Sequence, residues 1–191
     1  PIQGYSEFMS KIFGTDWLKK VLIPVGATFD LMALFTNIGI SYKLCEKYKV
    51  EPLLGSMISL GAFILVTPNS IKFNGRIIEN VILTTFLGGK GLFISMIMAI
   101  LAAEIYRILI QKNIVIKLPP SVPPTIGKSF VALIPGATVI TLFWIIDLVV
   151  SATSFENIHY IISKLLIGPI STIGSSYIGI IMLVLLANLL W

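Results

Sequence analysis

Charge is what this chain has least of. Its 191 residues include 14 Lys and Arg, 9 Asp and Glu and one His, so charged side chains make up 12% of the total. That is about half the share found in an ordinary soluble domain. Hydrophobic residues make up 56%, and the mean hydropathy is +0.95. A water-soluble core has no room for so much apolar surface without leaving large exposed patches. The net charge of +5 is therefore not a nucleic-acid footprint. The basic residues stand in short clusters beside apolar segments, where orientation and headgroup contact call for them.

Cysteine and histidine are almost as scarce. Cys45 is the single cysteine, which excludes an intrachain disulfide and leaves no ligand cluster for zinc. It reads as a small buried residue at a helix end. His159 is the single histidine, and no Ser-His-Asp set forms around it. A Walker loop, a Rossmann glycine fingerprint and an HExxH helix are all missing. Gly88-Gly89-Lys90-Gly91 lacks the Ser or Thr of a phosphate loop and reads as a turn into a helix. No catalytic residue, metal or cofactor is expected on the chain. No secretory signal pattern opens it. It starts at Pro1 and stops at Trp191 within an apolar run, so an internal piece of a longer protein is expected.

What is present is a succession of apolar segments joined by short basic turns, the pattern of an all-α polytopic membrane protein with about five transmembrane helices. Gly88 to Phe130 displays it best. A glycine turn carrying Lys90 leads into the uncharged run Leu92–Ala103. Glu104 and Arg107 follow on one helix face, spaced to pair. A basic, proline-broken connection then carries Lys112, Lys117 and Lys128, with Pro119, Pro120, Pro123 and Pro124.

The other segments fit around that one. Tyr5–Phe13 is a short helix closed by Gly14, with Thr15 and Asp16 placed to cap the next and Trp17 suited to the headgroup level. Val21–Tyr42 is long enough to cross a bilayer. Asp30 near its middle is a functional candidate, because an intramembrane acid is costly unless it meets protein, water or a ligand. The alternative for Asp30 is helix–helix glue, with Asn37 as a second glue residue. After the lysine-bearing loop 43–51, Pro52 opens a short span, Leu53–Val66, in which Gly55 and Ser59 permit close approach. Ile71–Ile78 centres on Asn74-Gly75 and predicts a small extramembrane β-hairpin, to which the β-rich run 81–87 is a candidate addition. A span over 129–150 contains Pro135-Gly136, which predicts a kink or break, and Asp147 near its far end. Thr153 and Glu156 fit a capping box for an amphipathic interfacial helix, FENIHYIISKLLI, with His159 on its solvated face. Gly174–Trp191 is the fifth span, where Ser175 and Gly179 offer a packing face. The cationic side chains divide seven against seven between the two membrane sides, which decides no orientation.

Several blocks, taken in order, resemble one family. They are Gly89-Lys90-Gly91-Leu92, Glu104-Ile105-Tyr106-Arg107, Ile114 to Pro119, Ser121-Val122-Pro123-Pro124, and Lys128-Ser129-Phe130. Tyr48 to Leu53, Ala62 to Pro68 and Ala132 to Gly136 fit as well. Together they resemble the lactose/cellobiose-type sugar-translocating subunit, enzyme IIC, of the bacterial phosphoenolpyruvate-dependent phosphotransferase system. The resemblance covers about residues 20–191 and implies a homodimeric, multi-pass protein of the bacterial inner membrane. Such a protein carries a disaccharide of the cellobiose, diacetylchitobiose or lactose class by alternating access, for phosphorylation by a cytoplasmic enzyme IIB. It implies that residues 1–151 belong to an N-terminal dimerisation-type domain, 152–173 to an interfacial connector, and 174–191 to the start of a substrate domain. The family's sugar-binding histidine and glutamate, in Gly-Ile-His-Gly and Asn-Glu-Pro stretches, fall after Trp191. Loops 43–51 and 107–128 are placed in the cytoplasm, where Arg107, Lys112, Lys117 and Lys128 are candidates for docking the partner. Membrane lipid is an expected partner and nucleic acid is not. The competing readings are an unrelated secondary transporter and a non-transporting membrane scaffold.

The apolar balance makes one direct prediction. The purified chain requires detergent or lipid to stay dispersed, and gel filtration checks it. A compact monomer running cleanly in detergent-free buffer overturns the membrane assignment.

Overall fold

The computed structural model describes residues 4–119, 123, 127, 130–153, 157–167 and 176–190. Helices α1 (Tyr5–Phe13) and α2 (Trp17–Thr28) come first, then a 3-10 turn (Phe29–Leu31) and α3 (Met32–Lys47). Next are α4 (Pro52–Leu65), strands β1 (Ser70–Phe73) and β2 (Arg76–Glu79), and the short α5 (Thr84–Leu87). A 3-10 turn (Gly89–Gly91) leads into α6 (Leu92–Gln111), followed by α7 (Leu133–Ser151). The short α8 (Ile158–Ile162) runs into a π turn (Ser163–Ile167), and α9 (Tyr177–Leu190) ends the described chain. Among the described residues, three segments are long and apolar enough to cross a membrane: Trp17–Lys47, Gly89–Gln111 and Leu133–Ser151. With the shorter apolar helix α4 and the small hairpin, this is the helical multi-pass architecture that the composition predicts.

The core is a bundle of α3, α4 and α6, with α7 laid against α4 and α6. Small side chains make it possible. Ala33, Ala62, Ala99, Ala102, Ser59 and Ser95 are all fully buried at the crossings, letting backbones approach as membrane helices require. Gly55 lies at a tight crossing within the bundle. A Cβ there would run into Cys45 Sγ and press on the Tyr106 ring at 3.2 Å. Polar glue completes the bundle. Asn37 donates from Nδ2 to the Ser95 carbonyl at 3.1 Å and accepts from Ser59 Oγ at 2.9 Å, so one buried amide ties three helices together. The Ser95 hydroxyl donates to the Ala33 carbonyl.

Helix ends follow their local chemistry. Pro52 starts α4 at a position whose N–H needs no partner. α3 and α6 both close with a residue at positive φ, Lys49 and Asn113. Beyond them, Val50 N–H donates to the Cys45 carbonyl and Ile114 N–H to that of Leu109, the doubly bonded C-terminal motif that satisfies orphan carbonyls. Asn74 and Gly75 take positive φ, and β1 pairs antiparallel with β2, Phe73 opposite Arg76. This is the two-residue turn expected from Asn-Gly.

Three expectations are corrected. The segment 21–42 is not one straight helix. Pro24 lies inside α2, and the helix is interrupted at Phe29–Leu31, where the Gly88 Cα packs so close that a Cβ would sit 3.2 Å from the Asp30 backbone. The run 81–87 adds no strand. Val81 N–H still bonds to the Asn69 carbonyl, but Thr84–Leu87 turns helical because Leu87 packs into the core. The break expected from Pro135 falls just ahead of it: Phe130 and Val131 are helical, Ala132 is a turn, and Pro135 is the third residue of α7, where the missing N–H costs nothing. His159 is not solvated. It is 2% exposed, against the Phe86 ring at 4.9 Å between centroids and the Phe63 ring at 6.1 Å.

The short helix carrying His159 is capped by Asn157, whose side chain accepts from Tyr160 N–H at 2.8 Å. Glu156, the other half of the expected capping box, lies outside the described residues, as do Gly174 and Ser175. Ile158 and Ile162 pack on the core, while Leu165 is 69% exposed. The helix therefore docks by its histidine edge. His159 Nε2 lies 3.3 Å from Thr67 Oγ1, and Nδ1 has no partner among the described residues.

Two predictions follow from this packing. Gly55→Ala lowers stability in detergent by about 1–3 kcal/mol through overpacking, and Cys45→Ala in the same chain recovers most of the loss. A double-mutant cycle of thermal melts checks the pair, and equal losses with and without Cys45 refute the contact. Burial depresses the His159 pKa to about 4, below its ordinary value, so the unfolded state takes the proton first as pH falls. The stabilisation is complete above about pH 6.5 and is lost toward pH 4, by up to about 3 kcal/mol. Melts of the wild type and His159→Gln at pH 7.5 and 4.5 read it as an excess acid loss in the wild type alone.

Candidate functional site

The two ends of the bundle carry different chemistry. At the end where α3 and α6 finish, Tyr48 donates its hydroxyl to Glu104, which holds Arg107 through two guanidinium nitrogens, Nε at 3.0 Å and Nη2 at 2.7 Å. Arg107 also reaches Gln111 Oε1 at 3.3 Å and lies over the Tyr48 ring, 4.8 Å from its centroid. The i,i+3 spacing of Glu104 and Arg107 makes their pairing legible in sequence. That Tyr48 closes the cluster from another loop is a tertiary fact. The carboxylate beside it raises the Tyr48 pKa, so the phenol stays a donor. Partly exposed ion pairs add little stability. The value of this one is positional, fixing loop 48–51 on the end of α6. Beneath it Cys45, Val50, Ala103, Tyr106 and Ala132 form a second small core.

Of the four basic candidates at this end, Arg107 is committed to Glu104. Lys112 and Lys117 are exposed, and Lys128 lies outside the described residues. The structure therefore brings two ammonium groups without a partner among the described residues to the surface beside a locked guanidinium.

At the other end, a cleft of about 540 Å³ opens between the end of α4, the hairpin and α7. A neighbouring one of about 680 Å³ continues it past Asn80 and Trp144. Thr67, Asn69 and Asp147 line both. Asp147 stands in the wall that the two recesses share. Asp30 does not join it. It sits in the 3-10 turn between α2 and α3, exposed, with Oδ2 close over Gly26. Sequence reasoning missed Asn69, Asn80 and Trp144, because only the fold brings them to Asp147. Among the described residues no three His, Cys, Asp or Glu side chains gather as a metal site does.

Comparison with known proteins agrees with the architecture. The chain is 51% identical over 197 residues to the cellobiose-specific EIIC component of a phosphotransferase system in Geobacillus stearothermophilus, and 47% identical to the lichenan permease IIC component of Bacillus subtilis (strain 168). All of the chain is covered in both matches, and it spans 44% of each relative's length. It superposes with a TM-score of 0.91 and 44% identity on the crystal structure of the transporter ChbC, the IIC component of an N,N'-diacetylchitobiose-specific phosphotransferase system, covering 46% of that chain. The family described as "Phosphotransferase system, EIIC" matches residues 2–191, and with helix order, hairpin and relatives in agreement, the chain belongs to that family.

Proposed function

We propose that this chain is the N-terminal part of a sugar-translocating subunit that carries a β-linked disaccharide of the cellobiose class across the bacterial plasma membrane. The observation that carries the reading is the match along the whole chain, residues 2–191, to a family of sugar-specific permease components, with cellobiose- and lichenan-named relatives at 51% and 47% identity. Transport proceeds by alternating access, and a cytoplasmic enzyme IIB phosphorylates the delivered sugar. A disaccharide is neutral and rich in hydroxyls, so its passage calls for hydrogen-bonding groups and aromatic faces rather than a charged clamp. The scarcity of charge within the spans suits such cargo.

In this reading, residues 1–151 are the scaffold through which two copies pair, 152–173 the connector, and 174–191 the entry to the substrate domain. Exposed apolar side chains on α7, among them Ile145, Leu148 and Val149, meet lipid, the second copy or the remainder of the protein. Loops 43–51 and 107–128 face the cytoplasm and the hairpin faces outward. Docking of the phosphorylated partner then falls to Lys112, Lys117 and Lys128, because Arg107 is already bound to Glu104.

Uptake tests transport. Cells lacking their own permease and supplied with the gene containing this chain accumulate phosphorylated cellobiose; uptake of free sugar, or none, overturns the proposal. For docking, Lys112→Ala, Lys117→Ala and Lys128→Ala combined weaken binding of the IIB subunit by about tenfold at low salt and less at high salt. Arg107→Ala acts instead by loosening loop 48–51, which appears as a lower melting temperature. Unchanged IIB affinity in the triple variant removes the docking role.

A further inference from the structure

The cleft at the hairpin end holds more unpaired polar groups than a structural recess needs. The Asp147 carboxylate and the Asn69 and Asn80 side chains make no hydrogen bond or ion pair among the described residues. Asn157 uses its oxygen to cap α8, which leaves its amide N–H₂ available. Ser151 adds a hydroxyl beside Asp147, and Trp144 is 52% exposed one turn before it. These groups come from three separate parts of the chain and converge on connected cavities of about 540 and 680 Å³. Asp147 is half-buried within an apolar helix, where a carboxylate without a partner is costly, and the exposed Asn69 and Asn80 side chains are open to a ligand. A ligand that hydrogen-bonds to Asp147 offsets that cost.

Their chemistry selects the ligand. Amides donate and accept, a carboxylate accepts two hydroxyls, and neither needs a charged counterpart. A single carboxylate among neutral groups is a poor cage for a divalent cation, which draws several anionic or carbonyl oxygens. An indole face beside such groups suits the apolar C–H face of a pyranose ring. We propose that this cleft is a saccharide-binding subsite at the hairpin end of the bundle, with Asp147, Asn69 and Asn80 taking hydroxyls and Trp144 stacking on a ring. The choice of a β-linked glucoside as ligand rests on the transport reading. In that reading the hairpin end faces outward, so the subsite receives sugar before translocation.

The test uses the chain in lipid nanodiscs with Trp17→Phe and Trp191→Phe, which leaves Trp144 as the single reporter. Titration with cellobiose and cellotetraose produces a saturable change in Trp144 emission, weak for cellobiose and stronger for the longer sugar. Asp147→Ala and Asn69→Ala each shift the curve by about tenfold, and Asp147→Asn by much less, since an amide still accepts a hydroxyl. Asn80→Ala, in an exposed loop, supplies a variant that leaves the helices untouched and shifts the curve in the same direction. No saturable change, an equal response to glycerol, identical curves in all the variants, or a response to calcium in place of sugar overturns the subsite. Cellobiose uptake by the whole transporter separates the two readings. Phosphorylated sugar accumulating without any Trp144 response sinks the subsite alone. A Trp144 response in a protein that accumulates no phosphorylated sugar sinks the transport reading alone.

Discussion

One buried amide holds the centre of this molecule. Lipid tails are as apolar as leucine, so helices in a bilayer gain little by hiding hydrophobic faces from each other. What joins them is close packing and hydrogen bonds that have no better partner. Asn37 provides both bonds of the central junction, one to the backbone of α6 at Ser95 and one from α4 at Ser59. The alanines, serines and Gly55 around it exist at sizes that let those bonds form. A larger residue at Ser59 or Ser95 separates the helices, and then the amide has nothing to reach.

From that junction the two ends diverge in purpose. The end with the basic loops is closed by interlocking contacts: Tyr48 on Glu104, Glu104 on Arg107, Arg107 over the Tyr48 ring. These contacts fix loop 48–51 on the end of α6, and Lys112 and Lys117 lie exposed just beyond that helix. The opposite end is left open. Its carboxylate and amides face a recess, and the chain's one histidine is sealed among aromatic rings, where it braces α8 against the end of α4.

How much of this was legible in the residues depends on range. Asn74-Gly75, the Glu104/Arg107 spacing, Pro52 at a helix start, and Asn37 and Gly55 as packing residues are local or compositional signals, and each appears in the structure in its expected role. The family resemblance read from blocks such as Glu104 to Arg107 agrees with the comparisons for the same reason: blocks in order are a sequence property. The break at Phe29–Leu31 was not legible, because its tightest neighbour is Gly88, far along the chain. His159 was placed on a polar face by periodicity, but the face that docks was chosen by Thr67, Phe63 and Phe86, which periodicity cannot see. Thr84–Leu87 carries a β-rich composition, and the burial of Leu87 overrode it. The cleft is the extreme case: Asn69, Asn80, Trp144 and Asp147 carry no motif.

The 14 residues of α4 have a consequence for the bilayer itself. At 1.5 Å per residue the helix rises about 21 Å, against a hydrocarbon thickness of roughly 30 Å. Acyl chains beside it must shorten or splay, or water must dip to meet its ends. The open recess lies at one of those ends, lined by Thr67 just beyond the last helical turn.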